Sequence, residues 1–511
     1  MDELLRLVPT VGYGDDAPAD RRGGALHLSA VLPALSAAIG HPAPTKVHAD
    51  PKACQRALGL PDAESAIVVL VDGLGYWNLA MRLGHAPYLR SLMNESANQR
   101  PIATCAPSTT VAAMAAFGTG TCPGLTAMAG YTQLEPASHK LIQLIQFKDA
   151  LAPKPANPHI PVPPMVDPLD LQREETVFEK LAAQEVRVTS SGLPKFSKSP
   201  LTEAALRGTD YQSNVTPRDR VLAAARASRT PRLTYLYIRD ADKVGHNYGW
   251  DSEHWVAAFE HIDAQLALLK RSAPKGTLIV IVADHGMVQT DMDQRIDIAV
   301  EPQLTRGVSL VGGEPRSLML YAEPDERPED IACRWRDCLQ DRALVRTKDE
   351  AIADGLFGPV CERVRPMLGD VVVQAAGAVT LVDSRTQGDK ATHLPSVHGS
   401  QNSIGNGYSL PDRYGLIRKF SLRTESRPSL VRPNVLIYAW PVWLVPHVRW
   451  RRIRPPAPAR WLLAVHWGHS VWSCPKHCQS PALVPWQAIA VILRQMAKQI
   501  RRSAKRPDWG P

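Results

Sequence analysis

Ala66-Ile67-Val68-Val69-Leu70-Val71-Asp72-Gly73 is an unbroken apolar run, rich in β-branched residues, closed by an acidic residue and a turn-forming glycine. A run of this length and composition reads as a strand buried on both faces. Two further runs repeat the design. Leu233-Thr-Tyr-Leu-Tyr-Ile238 is followed by Arg239-Asp240-Ala241-Asp242, and Thr277-Leu-Ile-Val-Ile-Val-Ala283 by Asp284-His285-Gly286. Helical patterns lie between them, as in Thr176–Ala183 and Trp255–Leu269. Strands alternating with helices predict an α/β fold: a mostly parallel central sheet with helices on both faces. Ligands of such sheets collect outside the carboxyl ends of the strands. All three of these strands deliver acidic residues there.

The remainder of the chain is organised around that core. At 511 residues it is long enough for two to four compact units. Residues 1–44 read as an N-terminal extension and 45–294 as the α/β core. Residues 295–390 read as a smaller α+β lobe, with strands at Ser317–Tyr321 and Asp370–Gln374 and a helix around Asp330–Leu339. Residues 391–400 form a return segment. Gly118-Thr-Gly120 and Gly312-Gly313 are too short for nucleotide-binding loops and read as turns. His261 and Asp263 read as decoration on a helix.

Charge separates the body from a tail. Residues 401–511 carry 18 Lys+Arg against 3 Asp+Glu, while the first 400 carry 41 against 47. The whole-chain charge of +9 therefore describes the tail, and no specific nucleic-acid partner is expected. Eight of the 12 tryptophans also fall in the tail, among arginines and prolines. An adhesive module for membrane or nucleic acid is one reading of it. A stretch translated in a shifted reading frame fits the acid depletion and lost periodicity better. His469, Cys474, His477 and Cys478 are too compressed for a zinc knuckle. No apolar run is long enough to span a membrane. The acidic start Met1-Asp2-Glu3 lacks the apolar segment of a secretory signal. The 8 cysteines are scattered rather than framed for disulfides. A cytoplasmic location is expected.

The polar residues at the strand ends carry the chemistry. Asp72, Asp242 and Asp284 supply carboxylates, and His246, His285 and His398 supply imidazoles, the donor types preferred by zinc and similar divalent metals. Six such donors suit one four-coordinate metal with open positions, or two metals that share a substrate. A metal pair clamps the attacking and leaving oxygens of an in-line phosphoryl displacement. In Ala106-Pro107-Ser108-Thr109-Thr110-Val111 a hydroxyl stands at the start of a predicted helix, where free N–H groups favour an anion. Ser108, Thr109 and Thr110 all compete for the role of nucleophile, and Asp240 competes with Asp242 as a ligand.

Five motifs occur in a telling order: Val71-Asp72-Gly73, Pro107-Ser108-Thr109-Thr110, Asp242-Lys243-Val244-Gly245-His246, Ala283-Asp284-His285-Gly286 and Val397-His398-Gly399. The series resembles the alkaline phosphatase superfamily, and within it the nucleotide pyrophosphatase/phosphodiesterase branch, over about residues 45–400. The resemblance implies a hydrolase acting on phosphoric ester or anhydride bonds. It implies two divalent metal ions, zinc first among them: one on Asp72, Thr110, Asp284 and His285, the other on Asp242, His246 and His398. It also implies Thr110 as the nucleophile, a phosphothreonine intermediate hydrolysed by water on the second metal, and a small phosphorylated substrate. Ala113 and Val111 depart from the branch's pattern after the nucleophile. A phosphomonoesterase or phosphonate hydrolase of the same superfamily, or a metal-binding relative impaired by its altered tail, therefore stand as alternatives.

Overall fold

The computed structural model describes residues 2–14, 23–95, 101–153, 162–229 and 232–403, together with the short strand Val435–Leu436. The tail readings and the Cys/His group of residues 469–478 lie outside the described residues.

The central sheet has five parallel strands: β1 (Ala66–Val71), β2 (Val188–Gly192), β3 (Asp210–Ser213), β4 (Leu233–Ile238) and β5 (Leu278–Val282). Their order is β5-β1-β4-β2-β3, and Val435–Leu436 pairs parallel along the free side of β5. β1 shows why the run opened as it did. Ala66, Val68 and Leu70 enter the hydrophobic core on one face, and Ile67, Val69 and Val71 enter the core on the other. All six are buried, so alternation gives way to continuous apolarity. Each such aliphatic side chain contributes roughly 1.5–3 kcal/mol of burial.

Helices cover both faces. On the first lies α1 (Thr110–Thr119), every residue after Thr110 buried. On the second lie α2 (Pro217–Ala227) and α4 (Glu253–Ser272), which pack against each other. Between β4 and α4 runs the short helix α3 (Asp240–Tyr248). Asp263 on α4 does more than decorate: it is buried, and its carboxylate accepts from the amides of Tyr88 (3.1 Å) and Leu89 (2.7 Å), so it caps the helix Pro87–Glu95.

The second lobe is a four-stranded antiparallel sheet, β6 (Val308–Glu314), β7 (Ser317–Ala322), β8 (Ala343–Thr347) and β9 (Val371–Ala375), in the order β6-β7-β9-β8. One helix, α5 (Pro328–Leu339), buries Trp335 and Ile331 against it. Gly312-Gly313, expected as a turn, lies inside β6. The turn itself falls at Pro315-Arg316, which joins β6 to β7. Likewise Gly118 continues α1, and only Gly120, at φ 64°, ends it. Gly118 is required there: a Cβ would stand 1.8 Å from the Ala205 carbonyl oxygen.

β2 was invisible to a search for apolar runs. Its sequence is Val-Thr-Ser-Ser-Gly, yet all five residues are buried. The two serine hydroxyls are satisfied internally: Ser191 donates to the Arg220 carbonyl (2.9 Å) and Ser190 to Thr209 Oγ1 (2.9 Å), whereas Thr189 Oγ1 is buried without a partner.

Candidate metal centre and nucleophile

Parallel register brings the strand ends together. Leu70 pairs with Val282 and Val71 with Ile238, so the residues that follow β1, β4 and β5 emerge side by side. The chain is stitched at that point: the Asp72 amide donates to the Ile238 carbonyl (2.8 Å), and the Asp242 amide to the Asp72 carbonyl (3.0 Å). Gly73, at φ 71°, passes so close to Asp242 that a Cβ would stand 2.8 Å from that residue's Cα. The Asp-Gly pair therefore turns the chain and lets α3 approach.

All seven singled-out residues gather at this edge. Asp72, Asp284 and His285 place ligand atoms within 4.8 Å of one another, and so do Asp242, His285 and His398. His285 belongs to both groups. Its Nε2 lies 3.5 Å from both Asp72 Oδ1 and Asp284 Oδ2, and its ring stacks on His398 at 3.9 Å. His246 Nε2 lies 3.2 Å from Asp242 Oδ1, and His398 Nε2 3.8 Å from the same oxygen. Asp240, the competitor for Asp242, is absent from both groups.

The other ring nitrogens are tied to the backbone. His246 Nδ1 meets the Ser396 carbonyl at 2.8 Å, and His398 Nδ1 the Ser108 carbonyl at 2.9 Å. Nδ1–H donation leaves each Nε2 as a lone-pair donor toward the centre. The loop that carries Ser108 is itself clamped to Gly399 by reciprocal contacts: the Ser108 amide donates to the Gly399 carbonyl (3.0 Å), and the Gly399 amide to Ser108 Oγ (3.2 Å). Ser108 is thereby occupied in structure rather than free to attack.

Thr110 opens α1 and stands beside both groups. Its Oγ1 lies 3.1 Å from His285 Nε2 and 3.5 Å from Asp72 Oδ1. Thr109 is the N-cap residue in extended conformation, but its side chain makes no cap bond. It lies instead near Glu314, whose carboxyl it draws downward against burial. The first-turn amides of α1 thus keep no side-chain cap.

The electrostatics are those of a site built for cations. Burial, then the charges of Asp284 and Asp242, push the Asp72 carboxyl well above its ordinary range. Burial likewise raises Asp284. Burial also works upward on Asp242, but His246, His398 and His285 outweigh it and hold that carboxyl well below the usual range. Burial, then His285 and His246, keep the His398 imidazole neutral, while Asp242 overcomes burial to raise His246. Asp242 Oδ1 and Asp284 Oδ2 are buried without a hydrogen-bond partner. Two buried carboxylate oxygens without a hydrogen-bond partner, beside three imidazoles, are what divalent cations would satisfy, so the donor set fits them.

Sequence reading missed several neighbours. Tyr237, on β4, donates its hydroxyl to Asp72 Oδ2, and Thr104 donates to the Asp284 carbonyl. Glu314, at the end of β6, is buried with Oε1 unpartnered, and burial pushes its carboxyl up to about 8. Nothing in the pattern of β6 marks that glutamate. Tyr237 sits in an alternating aromatic stretch whose inward position was the available clue.

Two clefts meet at Thr110, Asp242 and His246. One, of about 940 Å³, runs past Lys195, Phe196, Tyr237, Arg239 and Lys243. The other, of about 890 Å³, runs toward the second lobe past Tyr131, Glu314 and Asp383.

The family model for type I phosphodiesterase / nucleotide pyrophosphatase matches residues 66–401, from β1 to just past His398. The chain belongs to that family. Its members are hydrolases of phosphoric ester or anhydride bonds. Ectonucleotide pyrophosphatase/phosphodiesterase family member 3 of Bos taurus is 28% identical over 111 residues, 19% of this chain and 13% of that relative's length. Among solved structures, murine ectonucleotide pyrophosphatase/phosphodiesterase 5 superposes with a TM-score of 0.52 at 15% identity, covering 67% of this chain and 86% of the other. Phosphonoacetate hydrolase from Sinorhizobium meliloti 1021, solved with phosphonoacetate, gives 0.50 at 19% identity, covering 69% and 92%. At these identities the likeness to both is one of fold. Among the described residues no helix is long and apolar enough to cross a membrane.

Proposed function

We propose that this chain is a metal-dependent phosphoesterase that cleaves a small phosphodiester or nucleotide pyrophosphate through a phosphothreonine on Thr110. What carries the proposal is the position of one hydroxyl: Thr110 Oγ1 stands at an uncapped helix N-terminus, 3.1 Å from His285 Nε2, beside two groups of buried carboxylates and imidazoles. Asp72, Thr110, Asp284 and His285 would hold one divalent cation, and Asp242, His246 and His398 a second. Zinc suits this Asp/His donor set. Such cations, when bound, supply Lewis-acid stabilisation of charge on the phosphoryl oxygens.

The chain's own groups supply the rest. The Thr110 hydroxyl hydrogen faces two acceptors, His285 Nε2 and Asp72 Oδ1. Attack forms the Thr110 O–P bond and releases one ester alcohol or, from a pyrophosphate, a phosphate. Water then cleaves that O–P bond, frees the remaining phosphate ester and restores the hydroxyl. The uncapped first-turn amides of α1 favour the non-bridging oxygens throughout. Tyr237 fixes the orientation of the Asp72 carboxylate. The six described cysteines are all free thiols, which supports a reducing, cytoplasmic location.

Acid quenching during turnover of bis(p-nitrophenyl) phosphate, followed by peptide mass spectrometry, tests the covalent step. The expected adduct is on the peptide that carries Thr110, and Thr110→Ala lowers turnover by about a thousandfold or more. Turnover that survives Thr110→Ala overturns the mechanism. Elemental analysis of the wild type is expected to give two equivalents of metal.

A further inference from the structure

The wall of the 940 Å³ cleft has a feature that attack on phosphorus does not require. Arg239, Asp242, Lys243 and His246 stand at i, i+3, i+4 and i+7, so the proposed ligands and two cations share one face of α3 and its N-cap. Lys195 reaches the same wall from the short turn Pro194–Phe196 that follows β2. Its Nζ lies 4.9 Å from the centre of the Phe196 ring, and the Arg239 guanidinium carbon lies 5.9 Å from that same centre. Phe196 meets Tyr237 edge-on at 5.7 Å, and Tyr237 holds Asp72. Lys195 and Arg239 are therefore one aromatic layer away from the candidate metal centre, and Lys243 follows Asp242 directly.

Glu203 shares the cleft with them but is not paired to them. Among the described residues none of Lys195, Arg239 and Lys243 forms an ion pair with a carboxylate, whereas Arg207, Arg346 and Arg385 elsewhere all do. Burial, then the charges of Arg239 and Lys243, lower the Lys195 ammonium. This crowding of like charge occurs in a body with more acidic than basic side chains. The neighbouring cleft is lined by Glu314, Asp383, Asp389 and Lys390; there burial pushes the Glu314 carboxyl up to about 8, and Asp383 is paired with Arg385. An anionic substituent is therefore attracted to the cleft of Lys195, Arg239 and Lys243.

We propose that Lys195, Arg239 and Lys243 form a subsite for a second anionic group on the substrate, a carboxylate or a phosphate, beyond the scissile phosphorus. It deepens the phosphoesterase reading and rests on it for the position of that phosphorus. Phe196 and Tyr237 set the distance of Lys195 and Arg239 from Asp72, so the subsite selects substrates by the spacing of two anions as well as by charge.

Calorimetric binding to the zinc-loaded full chain tests this without turnover. The probes are ethylphosphonate, 3-phosphonopropionate and 1,2-ethylenediphosphonate, which share one phosphonate and differ in carrying no second anion, a carboxylate or a second phosphonate. At least one doubly anionic probe is expected to bind about tenfold or more tighter than ethylphosphonate, and the identity of that probe tells carboxylate from phosphate. In Lys195→Gln/Lys243→Gln, two exposed positions whose change leaves the packing intact, that ratio is expected to fall to within about threefold of one. Arg239→Gln provides an independent variant. Equal affinity for all three probes in the wild type, or a ratio unchanged in both variants, overturns the subsite. Absence of p-nitrophenyl diester hydrolysis together with a collapsing binding ratio would refute the esterase reading and leave the anion subsite standing.

Discussion

Replacing Asp284 by asparagine should move stability in opposite directions with and without divalent cations. Asp284 Oδ1 accepts from the amides of Gly73 (3.1 Å) and His285 (3.0 Å), and an asparagine carbonyl can keep both bonds. Oδ2 is different: it is buried, has no hydrogen-bond partner, and faces the Asp72 carboxylate. A buried polar oxygen left unpaired costs about 1–3 kcal/mol. Without cations, Asp284→Asn removes that cost and adds a donor toward Asp72, so the stripped variant should exceed the stripped wild type by about that amount. With cations the order reverses. A cation at 100 times its dissociation constant stabilises the wild type by about 2.7 kcal/mol, and the variant forfeits a ligand to it. For a folded body of roughly 400 residues, 1 kcal/mol corresponds to about 1 °C in the unfolding midpoint. Scanning calorimetry on chelator-stripped and zinc-loaded samples of both proteins gives four midpoints. The expected pattern is a crossover of a few degrees. A variant less stable than wild type in both conditions would mean that Asp284 serves the fold alone. A wild type indifferent to zinc would refute the cation site itself.

Three further perturbations test separate links. Tyr237→Phe removes only the hydroxyl that orients Asp72, and should weaken zinc affinity about 10–100-fold, read by competition with a chromogenic chelator, while circular dichroism stays unchanged. His27 is buried against His48, and burial followed by that neighbour lowers its imidazole to about 3, so the unfolded chain takes up a proton that the folded chain refuses. Its contribution to stability is full above pH 6.5 and is lost as pH falls toward 3, by about 1.4 kcal/mol per unit or about 2 kcal/mol at pH 5. His27→Asn should flatten that slope in urea titrations between pH 6 and 4, and an unchanged slope would acquit His27. Gly118→Ala should destabilise by about 3 kcal/mol or more, since its Cβ would meet the backbone oxygen of Ala205 rather than a side chain that can move; near-normal expression and melting would contradict that packing.

What could be read from sequence followed from one property of parallel sheets. A strand buried on both faces must be apolar throughout, so its first polar residue announces where it leaves the core. Asp72, Asp242 and Asp284 were legible because they interrupt or follow such runs, and His285 because it is adjacent to one. The fold class followed from the same three strands. β2 escaped because it buries Thr-Ser-Ser-Gly, with both serines hydrogen-bonded, rather than aliphatic surface. The inclusion of Gly312-Gly313 in β6 escaped because glycine pairs are the usual mark of a turn.

The cationic wall shows where such reading stops. Arg239 and Lys243 were in plain view, beside a residue already singled out, yet a charge at a helix start is ordinarily solvated and carries no message. Their meaning depends on Lys195 and Phe196, which follow a central strand that lacked an apolar signature. The order β5-β1-β4-β2-β3 places β2 next to β4, so the turn after β2 lands against α3, the helix after β4. Topology, not proximity in sequence, converts three scattered surface cations into a wall opposite Thr110. The proposed ligands Asp72, Asp242, Asp284 and His285 are predictable because they closely follow buried strands. The anion subsite is not, because it exists only once two non-consecutive strands are neighbours. The candidate centre is therefore assembled mainly from strand ends, and its proposed selectivity from strand order, which is why substitutions at Lys195 or Lys243 should change which phosphoryl compound is bound while the proposed ligands stay in place.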